Sequence, residues 1–100
     1  MRIKFLDDQL AKLDTQPTFT GGHRPELVTA IRQRLRLLRA APTERALLPL
    51  RALAMQRRAA NRDSYLMRVD DEFCLTLDFD GSDAERRALV NELTQYSGNL

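Results

Sequence analysis

Residues 20–45 read TGGHRPELVTAIRQRLRLLRAAPTER and carry the clearest secondary-structure signal in this 100-residue chain. The Gly-Gly pair indicates a turn, and Pro25 suits the first position of a helix, with Glu26 favourable beside it. Apolar residues then recur at helical spacing, and Pro42 prevents the helix from continuing. The stretch therefore predicts an amphipathic helix over about 25–40 that follows a loop.

Arginines lie on two sides of this predicted helix. At about 100° per residue, Arg32, Arg36 and Arg39 fall on the ridge opposite the apolar arc, whereas Arg34 falls within the arc. The ridge is either a solvated face or a dock for an acidic protein segment. Arg34 must either extend its charged end to water or meet a carboxylate.

The composition predicts one domain, residues 1–100, with a single hydrophobic core, because 43% of the residues are hydrophobic. The net charge of +2 excludes a polycation, yet of the sixteen basic residues only Lys4 and Lys12 are not arginine. Arginine suits phosphate and protein interfaces, although a GC-rich genome would favour it equally well. The single cysteine, Cys74, excludes an intramolecular disulfide and a zinc site built on several thiolates. No apolar run is long enough for a signal peptide or a membrane span, so we expect a soluble, cytoplasmic protein.

Outside the central helix, short alternating segments predict strands separated by turns. The predicted elements are a strand over 2–6, a helix over about 7–14, a possible strand over 50–58, and strands over 65–69 and 73–79. Thr43 to Arg45 is typical of a turn or of one short helical turn. The two acidic residues Asp70-Asp71 between the last two strands are typical of a hairpin.

The helix and the hairpin together resemble a known family. The hairpin YLMRVDDEFCLTL of residues 65–77 and the helix of residues 25–40 resemble those of HigB-type toxins, the plasmid maintenance killer proteins of the RelE/ParE superfamily. The resemblance covers roughly 15–79 and extends weakly to Tyr96. It implies an α+β, RelE-like fold with two N-terminal helices packed on a small twisted, mostly antiparallel β-sheet.

The C-terminal segment is compatible with two structures. Ser82-Asp83-Ala84-Glu85 has the pattern of a capping box and favours a helix over 85–93. The resemblance instead implies a strand over about 87–95, which we prefer.

The family resemblance also implies a function. Its members are toxins of type II toxin–antitoxin pairs that cleave mRNA on translating ribosomes, without a metal or other cofactor. The implied partners are a helix-turn-helix antitoxin similar to HigA, mRNA and the ribosome, with operator DNA bound only through the antitoxin complex and no membrane. One alternative is a catalytically degenerate toxin that keeps only antitoxin or RNA binding. Another is a gyrase-directed toxin of the ParE branch, although the residues around Asp70-Asp71 look more like HigB.

The chemistry implied by the resemblance is attack of a ribose 2′-hydroxyl on the adjacent phosphate. It requires phosphate binding, stabilisation of negative charge and proton transfer. By their positions in the family pattern, Arg58, Arg68 and Tyr96 are predicted to be catalytic, and Arg57, Arg58 and Arg62 are predicted to bind RNA. Arg58 and Arg62 stand where the family has lysines, and Arg68 matches its strand arginine.

Several positions depart from the family pattern. Phe73-Cys74 replaces Trp-Arg, so an arginine expected at the scissile phosphate is absent. Gln95 and Ser97 replace the Asp and His on either side of the C-terminal tyrosine, which removes a possible acid/base pair. Cys74 is either a buried small hydrophobic residue or a thiol activated by nearby arginines. His23 is predicted to be a loop residue.

Overall fold

Two helices and a five-stranded mixed sheet make up the computed structural model, which describes residues 1–58 and 63–95. The strands are β1 (Arg2–Phe5), β2 (Gln56–Arg57), β3 (Ser64–Arg68), β4 (Phe73–Asp80) and β5 (Arg87–Gln95), and the helices are α1 (Asp8–Thr15) and α2 (Pro25–Ala40). The spatial order of the strands is β1-β5-β4-β3-β2. β1 is parallel to β5, and the other three pairings are antiparallel. The predicted α+β class is thus confirmed.

Both helices form close to the predicted positions. α2 begins at Pro25, and its apolar arc lies in the core with Ile31 and Leu38 fully buried. α1 begins one residue later than predicted because Asp7 is its N-cap, with the carboxylate accepting a hydrogen bond from the Leu10 amide at 3.0 Å. His23 lies in the loop before α2, as predicted.

The predicted strand over 50–58 is largely wrong. Only Gln56–Arg57 pairs as a strand, and Arg51–Leu53 form one turn of 3-10 helix. Ala54 then adopts a left-handed conformation with φ of 40°, which interrupts an extended chain. The 3-10 turn at Glu44–Ala46 agrees with the short helical turn predicted after α2.

The C-terminal segment is a strand, as preferred. The capping-box residues form only a 3-10 turn, Asp83–Glu85, before β5 begins. β5 lies between β1 and β4, and its Ala88 and Val90 are fully buried. Pairing on both edges and burial of these side chains outweigh the local helical preference.

One face of the sheet carries the hydrophobic core together with the helices. Alternate residues of β3 and β4 enter this core: Tyr65, Met67, Leu75, Leu77 and Phe79. Their neighbours in sequence therefore lie on the opposite face, which we call the polar face.

The arginines of α2 mostly bind within the protein. Arg32 donates to the Leu13 and Gln16 carbonyls at 2.9 and 3.0 Å, and so holds the C-terminal end of α1. Arg39 forms a two-pronged ion pair with Asp14. The predicted ridge is therefore neither wholly solvated nor wholly available to a partner.

Arg34 adopts neither of the two arrangements predicted for an arginine within the apolar arc. Its guanidinium donates to the Arg68 and Val69 carbonyls at 2.9 and 3.1 Å, at the end of β3. Burial lowers the pKa of Arg34, and the nearby Arg68 charge lowers it further. The side chain thus ties α2 to the hairpin without an ion-pair hydrogen bond to a carboxylate.

In residues 1–58 and 63–95, neither helix combines the length and the apolar character that crossing a bilayer requires.

Candidate functional site

The polar face carries the side chains that could bind a ligand or take part in catalysis. In register order it carries Arg58, Ser64, Arg68, Cys74, Thr76, Asp78, Asn91, Glu92 and Thr94. Arg58 reaches this face because its amide bonds to the Ser64 carbonyl at 2.9 Å and so extends the pairing of β2 with β3. Two predicted catalytic residues, Arg58 and Arg68, therefore share a face but stand near opposite ends of β3.

Arg57 lies on the other side of the sheet. It pairs with Tyr65, donates to the Tyr65 hydroxyl at 3.1 Å, and places its guanidinium 5.7 Å from the ring centre. The hydrogen bond to Tyr65 raises the pKa of Arg57. The proposed RNA-binding pair Arg57 and Arg58 is thus divided between two faces. The predicted site residues Arg62 and Tyr96 lie outside the described residues.

Arg68 is held by the turn of its own hairpin. Its guanidinium forms an ion pair with Asp71 and donates to the Asp70 carbonyl at 3.3 Å. The Asp71 side chain is 92% exposed, so this pair contributes little to stability and its arginine can exchange partners. The Arg68 side chain is 44% exposed, so an anion can compete with Asp71 for its guanidinium.

Cys74 is buried, with 2% of its surface exposed, and lies between Arg68 and Thr94 in register. Burial raises the pKa of the Cys74 thiol, the Arg58 charge lowers it and the Glu92 charge raises it. The buried interpretation of Cys74 is confirmed, and a raised pKa does not favour a reactive thiolate. The same effects show that Arg58 and Glu92 both act on this part of the polar face.

A polar network crosses three strands beside these charges. The Ser64 hydroxyl donates to one oxygen of Asp78, and the Asn91 amide donates to the other at 2.8 Å. Asp78 is half-buried, and both of its oxygens are occupied. The network fixes the relative positions of β3, β4 and β5.

Sequence reasoning missed Ser64, Asp78, Asn91 and Glu92. Ser64, Asp78 and Asn91 lie on this face by regular alternation, whereas Glu92 joins them only through a register shift in β5 between the pairs Thr76–Glu92 and Leu77–Val90. No sequence signal marks that shift.

Within the described ranges, no group of three or more His, Cys, Asp or Glu side chains is placed to hold a metal ion.

The comparisons with known proteins concern the fold. No protein-family model matches this sequence, and no curated protein matches it. The structure is similar to that of a YoeB/ParE toxin from Agrobacterium tumefaciens, with a TM-score of 0.57 and 15% sequence identity. The similarity covers 96% of this chain and 99% of that chain. The chain therefore has the fold of this toxin along nearly its whole length, and its assignment to the HigB branch stays a prediction.

Proposed function

We propose that this protein is the toxin of a type II toxin–antitoxin pair. The observation that carries the proposal is the nearly full-length structural similarity to a chain named as a YoeB/ParE toxin. The helix and hairpin of residues 25–40 and 65–77, which resemble HigB-type toxins, support it independently. Its partner in this proposal is a helix-turn-helix antitoxin similar to HigA, and operator DNA is bound through the complex of the two.

The proposed activity is metal-independent cleavage of mRNA on translating ribosomes. The Arg58 guanidinium supports this activity, because no hydrogen bond or ion pair within the described residues engages it. An unpaired guanidinium on a polar face can bind phosphate and stabilise the charge that develops during cleavage. Arg68 would assist after releasing Asp71, and Tyr96 is proposed to position or protonate the leaving group.

A second candidate is a degenerate toxin that binds its antitoxin or RNA without cleavage. Two observations favour it: Arg68 is engaged by its own hairpin turn, and the buried Cys74 stands where the family has an arginine. Loss of one such electrostatic group can lower the rate roughly a hundred- to a thousand-fold.

Induction of the protein alone in a bacterial host tests the proposal. We expect growth to slow, co-expression of the antitoxin to relieve the effect, and mRNA in the induced cells to be cleaved. Normal growth with soluble, folded protein would contradict an active toxin. Slow growth with intact mRNA would support a toxin but contradict the proposed ribonuclease activity.

A further inference from the structure

We infer that Glu92, placed on the polar face by a bulge in β5, is the general base for cleavage of single-stranded RNA, with Arg58 as the phosphate-binding group. This inference rests on the proposed ribonuclease function. It supplies the proton acceptor that the sequence pattern lacks.

The bulge determines where Glu92 lies. Thr76 pairs with Glu92 and Leu77 pairs with Val90, so Asn91 is an extra residue in β5 opposite β4. Asn91 and Glu92 consequently follow each other on the polar face, and Leu93 returns to the core. In a regular strand Glu92 would point into the core, where a carboxylate is costly.

The backbone around Glu92 is fixed, while its carboxylate is left available. The Asn91 side-chain amide donates a hydrogen bond to the Asp78 carboxylate at 2.8 Å, and the Thr76 hydroxyl donates one to the Glu92 carbonyl at 3.4 Å. Glu92 is exposed, and its carboxylate has no hydrogen bond or ion pair in residues 1–58 and 63–95. By contrast, the carboxylates of Glu44 and Asp14 are taken up by Arg86 and Arg39.

Arg58 and Glu92 approach the same region from opposite sides of β4. Both charges act on the Cys74 thiol. Arg58 directly follows β2, and Glu92 lies in β5. Thr94, which pairs with Cys74, has a buried hydroxyl without a hydrogen-bond partner in the described chain. A phosphate on the exposed surface over this point would meet the Arg58 cation, and an adjacent ribose would meet the Glu92 carboxylate.

The proposed step balances without a metal. The Glu92 carboxylate accepts the proton of the ribose 2′-hydroxyl, and the 2′-oxygen forms a bond to the adjacent phosphorus. The bond from phosphorus to the 5′-oxygen breaks, and that oxygen takes a proton from water. The products are a 2′,3′-cyclic phosphate and a 5′-hydroxyl.

Cleavage of a defined mRNA on purified translating ribosomes tests the inference, with the wild-type protein, Glu92→Gln and Glu92→Asp compared between pH 4 and 9. We expect Glu92→Gln to lower kcat by about 10²–10⁴-fold and to remove the rise of rate through the acidic range. Glu92→Asp should keep that pH dependence. Glu85→Gln, which removes an exposed carboxylate from the 3-10 turn before β5, is the matched control and should change the rate less than twofold.

One further readout separates a base from a structural residue. Binding of a non-cleavable RNA with a single 2′-deoxy substitution should be unchanged or tighter in Glu92→Gln, because one negative charge is lost. The other titratable or charged groups on this face are Arg2, Lys4, Arg58, Arg68, Cys74, Asp78, Asp80 and Arg87, and the Glu92 variants leave them in place.

The outcomes are distinguishable. If the wild-type protein cleaves RNA and Glu92→Gln cleaves within threefold of its rate with the same pH profile, the inference is wrong and the proposed function stands. Equal losses in Glu92→Gln and Glu92→Asp, with or without loss of fold, would assign Glu92 a structural role and overturn the inference. If the wild-type protein slows growth but cleaves no RNA, both the inference and the ribonuclease proposal fail.

Discussion

At the scale of single residues, the arginines divide into those that hold the fold together and those left for a ligand. Arg32, Arg34 and Arg39 bind carbonyls or a carboxylate inside the protein. Arg36 and Arg58 have no such partner among the described residues. Composition alone could not separate the two groups, because partner choice depends on which strand or helix lies opposite.

The free and the engaged arginines of the polar face can be compared directly. We expect the double variant Arg58→Ala with Arg68→Ala to lose RNA cleavage, and Arg58→Ala alone to lower the rate roughly 10²–10³-fold. Arg68→Ala alone should have the smaller effect, because Arg68 must first leave Asp71. The measurement is single-turnover cleavage on ribosomes, with Arg36→Ala as an exposed control. Wild-type rates in the double variant would show that these residues do not form the site.

Cys74 occupies the position at which the HigB-type pattern, which this sequence resembles, has an arginine. Because the residue is 2% exposed, a guanidinium there must displace its neighbours or be buried beside Arg58. We expect Cys74→Arg to lower the free energy of unfolding by about 2–4 kcal/mol rather than to raise activity. Denaturant unfolding measures this, with Cys74→Ser as a milder control. A stable and more active Cys74→Arg variant would show that the position faces the RNA.

At the scale of elements, the connection between β4 and β5 sets the register of the polar face. Gly81 has a φ of 87°, and a Cβ there would clash with the Glu85 carbonyl oxygen. We expect Gly81→Ala to destabilise the protein by about 2–4 kcal/mol, because both the conformation and the space exclude a side chain. Gly22 has a similar φ of 80° but open space around it.

Gly22→Ala is therefore the control for backbone strain alone. It should lower the free energy of unfolding by only about 1 kcal/mol. Thermal or denaturant unfolding of both variants gives the comparison. Equal losses in the two variants would show that the Glu85 backbone moves away at little cost.

Elements with a strong local pattern were predictable, and those set by tertiary pairing were not. α2 follows from Pro25 and the spacing of its apolar residues, and the β3–β4 hairpin follows from alternation around Asp70-Asp71. β2 is shorter than predicted because Ala54 turns the chain just before it. The Asn91 bulge left no pattern in sequence, so the placement of Glu92 could not be predicted.

At the scale of the whole molecule, one ion pair links distant parts of the chain. Glu44, which follows α2, receives two hydrogen bonds from Arg86, which precedes β5, with Nε to Oε1 at 2.9 Å. The hydrogen bonds from Arg86 hold the pKa of Glu44 below its usual value. Since the folded-state pKa is the lower one, the pair stabilises the fold fully above the unfolded pKa of about 4.3. That stabilisation is lost as the pH falls from there through the folded-state pKa.

Comparison of the wild-type protein with Glu44→Gln tests this linkage. At pH 7 the variant should be less stable by about 1–3 kcal/mol, because Arg86 loses charge-assisted hydrogen bonds in a half-buried place. The difference should shrink as the pH falls below about 4.3, since wild-type Glu44 then also becomes neutral. Urea unfolding at pH 7 and pH 3.5 provides the measurement. A difference that is independent of pH would place the contribution of Glu44 in packing rather than in charge.

The proposed antitoxin complex should combine charge with apolar contact. The chain carries a net charge of +2, and Leu48 and Leu50 are 44% and 40% exposed in the segment before β2. Charge attraction between exposed arginines and an acidic partner weakens with salt, whereas burial of apolar surface does not. We therefore expect the antitoxin to co-purify at low ionic strength, and its Kd to rise roughly tenfold between 50 and 500 mM salt without complete dissociation. Calorimetric titration at the two salt concentrations checks this expectation, and Leu48→Ser should weaken binding equally at both. Failure of a helix-turn-helix protein encoded beside this gene to co-purify even at low salt would contradict the proposed partner. A Kd that does not change with salt would contradict the proposed role of the arginines.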